Sequence, residues 1–179
     1  MRIAVLMLVW LAGAAAAEPV REVAAATNAF RAEHGLAPLA VSPVLEAVAE
    51  AHGRDMAAKG FFDHRGSDGS SVGRRAKRQG YRFCLVAENI AKGQRSPAEA
   101  MRSWTGSAGH RSNMLQPNLR EIGVIRTGDI WVMVLGTKMG ACRGDGRGIL
   151  PPGAAIRPLF SRAFFSYGRA NRRKRADRR

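Results

Sequence analysis

Two periods of apolar residues alternate along the chain, and each stretch predicts an element. Val20, Val23, Ala24, Thr27 and Phe30 recur every three to four positions, which predicts a helix from Val20 to about His34, stopped by Gly35. Leu45, Val48, Ala49, His52 and Met56 share one face of a second helix. Ser42 is placed to cap it, Pro43 takes its first position and Gly60 ends it. A short third helix is expected over Ser71 to Gln79, before Gly80, and its many Arg and Lys residues read as a solvated face. Ser96-Pro97-Ala98-Glu99 is a capping box that opens a fourth helix, turning Met101 and Trp104 inward, and Gly106 weakens its end.

The strands carry other signals. Tyr81 to Val86 holds aromatic and branched residues after Gly80. Glu121 to Arg126 and Ile130 to Thr137 flank Thr127-Gly128-Asp129, which suits a tight hairpin. Trp131 to Leu135 is almost wholly apolar, as in a central strand covered on both faces. Helices come first and the hairpin last. The expected fold is therefore α/β: a three-layer α/β/α sandwich around a central, mostly antiparallel sheet. The sequence holds no internal repeat and no Gly-rich phosphate loop.

Composition bounds this picture. With 179 residues, 46% of them hydrophobic and 24% charged, the chain suits one domain with a real core. Residues 1–17 have the layout of a secretory signal: Arg2, an apolar run from Ile3, then Ala15-Ala16-Ala17. The run is about 15 residues, short for a bilayer span of roughly 20. Cleavage after Ala17 would leave a domain over residues 18–142 that is secreted or periplasmic, where Cys84 and Cys142 can form a disulfide. Two cysteines exclude a disulfide-dense scaffold and a four-thiolate zinc site.

The formal net charge of +15 is concentrated after the domain, since residues 143–179 hold 11 Lys and Arg against 2 acidic residues. That segment begins as a Gly/Pro-rich linker and ends in the basic run RANRRKRADRR. Two readings of it stand side by side: a contact with an anionic membrane or cell-envelope surface, or a solubilising tail with no specific partner. No nucleic-acid recognition motif accompanies the charge, so a specific nucleic-acid partner is not expected. A monomer is expected.

Three polar clusters are candidates for chemistry: Phe61-Phe62-Asp63-His64 after helix two, Ala87-Glu88-Asn89-Ile90-Ala91 after the first strand, and Trp104 to Leu115 after helix four. Each sets an ionisable residue among apolar neighbours at the end of an element. Together with Asn28-Ala29-Phe30-Arg31, Gly80-Tyr81 and Glu121-Ile122-Gly123-Val124, they resemble, in order, the CAP superfamily of cysteine-rich secretory, antigen 5 and pathogenesis-related proteins, most closely its compact bacterial branch. The resemblance covers about residues 21–140. It implies the family's sandwich and a cleft holding His64, His110 and Glu88 as candidate catalytic residues. Many eukaryotic members carry a second Glu three residues after the tryptophan. Here that place is Ser107, which weakens any mechanism built on two carboxylates.

The chemistry of these residues leaves two readings. His64 and His110 can hold a divalent metal such as zinc, although two imidazoles are fewer than the three protein ligands of a catalytic zinc site. Ser107 beside His110 reads better as the cap of the next helix than as a nucleophile, and with Asn89 it is a candidate ligand-binding residue. The favoured function is a cleft that binds a small ligand: a divalent metal, a lipid or an envelope component. The alternative is a peptidase-like hydrolase in which His64 or His110 activates water with support from Glu88. His52 reads as a core histidine, His34 as a helix-end residue, and Asn28 and Arg31 as ties between helix one and the rest.

Overall fold

The computed structural model describes residues 8–142, with side chains from residue 19 onward. The basic tail over 143–179 lies outside the described residues, as does the first part of the expected leader. The element order is α1 (Leu8–Glu33), β1 (Ala40–Val41), α2 (Pro43–Lys59), α3 (Val72–Arg78), β2 (Phe83–Lys92), α4 (Pro97–Gly106), α5 (Ala108–Met114), β3 (Glu121–Thr127) and β4 (Ile130–Lys138), closed by a 3-10 turn at Met139–Cys142. No helix among the described residues is long and apolar enough to cross a membrane.

Local chemistry sets most of these boundaries. Pro43 opens α2 with Ser42 extended before it, and Gly60 closes it in the left-handed conformation that glycine adopts without a Cβ clash. Ser71 and Ser96 cap α3 and α4 by accepting from the amides of Arg74 and Glu99. The reciprocal half of the capping box shifts by one residue: Glu99 Oε2 accepts from the amide of Arg95. Helix α1 starts at Leu8 rather than Val20, because the Ala-rich stretch before Glu18 is strongly helix-forming and carries the helix upstream.

The sheet order is β1-β3-β4-β2. β4 runs antiparallel to both β2 and β3, and only the two-residue β1, which sequence patterning did not predict, pairs in parallel with β3. β4 is central and buried from Ile130 to Thr137, as its apolar run predicted. Its residues alternate between two cores with the period-2 geometry of a strand. Trp131, Met133 and Leu135 pack with α1, α4 and α5, while Ile130, Val132 and Val134 pack with α2 and α3. The result is the expected α/β/α sandwich, with a helical layer on each face.

Two polar residues tie α1 down, as the sequence suggested. Asn28 exchanges hydrogen bonds with both backbone groups of Leu39. Arg31, wholly buried, donates to the carbonyls of Ala37, Met114 and Gln116. At the far end of the sheet, Cys84 and Cys142 form a disulfide with Cα atoms 6.4 Å apart.

Candidate functional site around a buried carboxylate

β2 is longer than its sequence signal. It runs from Phe83 to Lys92, so Glu88, Asn89 and Ile90 lie within the strand rather than after it. The pairing of Glu88 with Val134 and Asn89 with Met133 explains why. β4 supplies a full-length partner, and tertiary pairing overrides the weak strand propensity of Glu and Asn. The pleat then sends the two adjacent polar side chains to opposite faces. Glu88 meets residues of α2 and α3 together with the loop between them, and Asn89 meets α5.

Glu88 is buried, its side chain only 2% exposed. Oε1 accepts from Nδ1 of His64 at 2.9 Å, and Oε2 accepts from the Arg75 guanidinium at 2.7 Å. His52 brings its Nε2 to 3.7 Å from Oε1. Burial pushes the Glu88 carboxyl up. The His64 hydrogen bond and the Arg75 charge, with His52 behind them, outweigh that and hold it below the usual carboxylate range. The carboxylate is therefore ionised, and both its oxygens are engaged.

One of its neighbours was misread from sequence. Arg75 was grouped with the solvated face of α3, yet it is 7% exposed and faces inward. Its neighbours Arg74, Lys77 and Arg78 are exposed, and nothing in a seven-residue basic helix marks which cation turns in. His52 is a core histidine, as expected, but its ring sits in the same cluster as His64.

His64 and His110 come from separate parts of the chain, and His64 lies near enough to act on the charge of His110. His64 sits on the α2–α3 loop with a side chain 38% exposed, and His110 lies half-buried in α5. Burial lowers the pKa of His110 first, and the neighbouring His64 lowers it further. His110 Nδ1 is buried without a hydrogen-bond partner among the described residues. α5 itself is pinned to β2: Asn89 donates to the His110 carbonyl at 3.1 Å, and Asn113 donates to the Glu88 carbonyl and to Asn89 Oδ1. Asn113, which sequence reasoning passed over, thus helps place His110. Ser107 stands at the start of α5 as expected, half-buried, but its side chain makes no capping bond.

A metal must be weighed against this donor set. His64 and His110 offer two imidazoles, while both Glu88 oxygens are occupied. Among the described residues no group of three or more His, Cys, Asp or Glu is gathered as a metal cage. The set falls short of the three protein ligands that catalytic zinc uses. A shallow groove between α1 and the β1–β3 edge, floored by Val41, Ile122 and Val124, includes none of these residues.

Residues 24–129 match the family model of the cysteine-rich secretory protein family, CAP, over more than half of the chain. The chain belongs to the CAP family. Within that family the chain is 40% identical over 113 residues to the protein YkwD of Bacillus subtilis, covering 62% of this chain and 44% of that one. It is 32% identical over 98 residues to the membrane protein YlbC of the same organism, covering 55% and 28%. The chain thus spans less than half the length of these curated relatives. Among solved structures, an extracellular SCP-domain protein of Bacillus anthracis superposes with a TM-score of 0.67 at 28% identity, covering 69% of this chain and 41% of that one. An outer surface protein of Borrelia burgdorferi superposes with a TM-score of 0.63 at 21% identity over 68% and 93%, a likeness of fold alone. For this CAP domain, the motifs around His64 and Glu88 supply residues in direct contact, while Asn28 and Arg31 tie α1 down elsewhere.

Proposed function

We propose that this CAP domain acts outside the cytoplasm as a binding module, and that its cleft takes a small ligand between His64 and His110, with Asn89 and Ser107 on the α5 side. The observation that carries this reading is the engagement of Glu88. A carboxylate that accepts from His64 through one oxygen and from Arg75 through the other, with a side chain only 2% exposed, is placed to orient its neighbours rather than to meet bulk water. Ser107 stands at the N-cap position of α5, the place expected of a helix start, although its side chain makes no capping bond there. The alternative is a hydrolase in which His64 or His110 activates water with Glu88 in support, and the Glu88 bond to His64 is compatible with it.

Ligands of three kinds suit the cleft: a divalent cation held weakly by two imidazoles, a lipid, or an envelope component. Calorimetric titration with zinc separates the first from the others. Heat from the wild type that disappears in the His64→Ala, His110→Ala double variant supports a metal site, and equal heats from both proteins remove it. Turnover of peptide or peptidoglycan fragments that vanishes in folded Glu88→Gln would replace the binder with the hydrolase.

A location outside the cytoplasm draws on the leader layout of residues 1–17, on the disulfide, and on similarity to a protein described as extracellular. For the basic tail we propose contact with an anionic envelope surface. Deleting residues 169–179 is expected to weaken binding to anionic vesicles at low salt with little change in melting temperature. Unaltered binding would leave a solubilising tail.

A further inference from the structure

We propose that Arg75 and His52 are positioning residues of the cleft, which together hold the His64 segment so that its ring presents Nδ1–H to Glu88 and Nε2 as its lone-pair nitrogen. The inference deepens the binding reading, because it names what fixes one of the two imidazoles offered to a ligand.

Its basis is a set of bonds on two consecutive carbonyls. His52 Nε2, from α2, lies 2.9 Å from the carbonyl oxygen of Asp63. A carbonyl only accepts, so Nε2 carries the proton, which sets the His52 tautomer. The Arg75 guanidinium, from α3, donates to the next carbonyl, that of His64, at 3.1 Å. Its other terminal nitrogen donates to the carbonyl of Ser70 at 2.8 Å, which closes the loop from its far side. The nitrogen that bonds the His64 carbonyl also bonds Glu88 Oε2. One guanidinium thus fixes the backbone of His64 and the carboxylate that receives its side chain.

The consequence for His64 follows from donor and acceptor roles. An ionised Glu88 only accepts, so Nδ1 of His64 carries the hydrogen of that 2.9 Å bond. In the neutral ring the lone pair then resides on Nε2. Supporting partners of this kind are what fix the tautomer and orientation of imidazoles that meet ligands. His52 and Arg75 are both nearly sealed from solvent, at 0% and 7% exposure, so neither competes for the ligand itself.

The experiment is ring-nitrogen NMR of His64, followed upward in pH until the ring is neutral, where the tautomer is read directly. In the wild type the proposal expects Nδ1–H, and an Nε2–H ring would overturn it without any variant. Arg75→Met and His52→Leu should average the His64 tautomers. His52→Gln, whose side-chain amide can still donate to the Asp63 carbonyl, should restore the wild-type pattern. Arg75→Lys keeps the charge but loses the fork, and serves where Arg75→Met does not fold; it too should average the tautomers. A lowered melting temperature with an unchanged His64 spectrum in these variants would show a merely structural role and overturn the proposal. Zinc as a probe should bind roughly tenfold more weakly to Arg75→Met than to the wild type, a loss of about 1.4 kcal/mol, and unchanged zinc affinity alongside an averaged tautomer would overturn the link to the ligand. If zinc does not bind the wild type, the metal form of the binding reading fails, while the tautomer spectra still decide the positioning role.

Discussion

Gly123 of β3 and Leu45 of α2 are in backbone contact: a methyl group added to Gly123 would overlap the carbonyl carbon of Leu45 and the amide nitrogen of Glu46. Helix α2, which carries His52, packs onto the sheet at a height set by this missing side chain. Gly123→Ala is expected to destabilise the domain by about 3 kcal/mol or more, because the overlap is with backbone and no rotamer can relieve it. Gly106→Ala is the control. Nothing stands within 4 Å of a Cβ there, and its φ is not positive. It should shift stability by less than about 1 kcal/mol. Denaturant titration of both variants measures the difference.

Glu88→Gln should cost about 3–5 kcal/mol, since it leaves the Arg75 guanidinium buried without its counter-charge. The double variant Glu88→Gln, Arg75→Met should recover part of that loss. A double-mutant cycle in urea gives the coupling, and additive losses would show that the pair does not interact.

Stability should fall as the solution is acidified, in two steps. His52 is pushed down first by burial, against the pull of Glu88, and His110 by burial and by His64. Each is lowered below its unfolded value of about 6.5, so the unfolded chain takes up protons first. Their contribution is complete above about pH 6.5 and is lost as the pH falls through their folded values. Glu88, also depressed, adds stability that is present above about pH 4.3 and is lost below it. Melting temperatures across this range test the order, and His52→Gln should flatten the upper step.

Arg31→Met should destabilise by about 3 kcal/mol or more, because it strips three carbonyls of a charged donor inside the protein. Arg31→Lys should recover only part of the loss, as an ammonium cannot reproduce the planar fork. Thermal denaturation of the two variants makes the comparison.

Cys142→Ser should lower stability by about 2–4 kcal/mol, since the bridge closes a loop with a sequence separation of 58. Wild type treated with reductant should match the variant in denaturant titration.

Features encoded locally were legible in the sequence. Ser42-Pro43, Gly60 and the Thr127-Gly128-Asp129 turn each carry their own geometry, and the apolar run of β4 named the central strand. The contact of His64 with Glu88 was legible only as an ordered likeness, because distant segments supply them. What escaped was decided by neighbours. β2 extends through Glu88 because β4 pairs with it, and β1 exists only because β3 lies alongside. Arg75 differs from Arg74 and Arg78 in nothing but the direction it faces on a short helix. The inward direction is set by a carboxylate thirteen residues away.

Among the described residues the strand that bears Glu88 is the last in the sheet, and a rim strand leaves backbone groups open along one edge. Asn113 occupies the Glu88 carbonyl on that rim and ties the strand to α5. The helix that delivers His110 therefore also covers one of the open backbone groups of this rim.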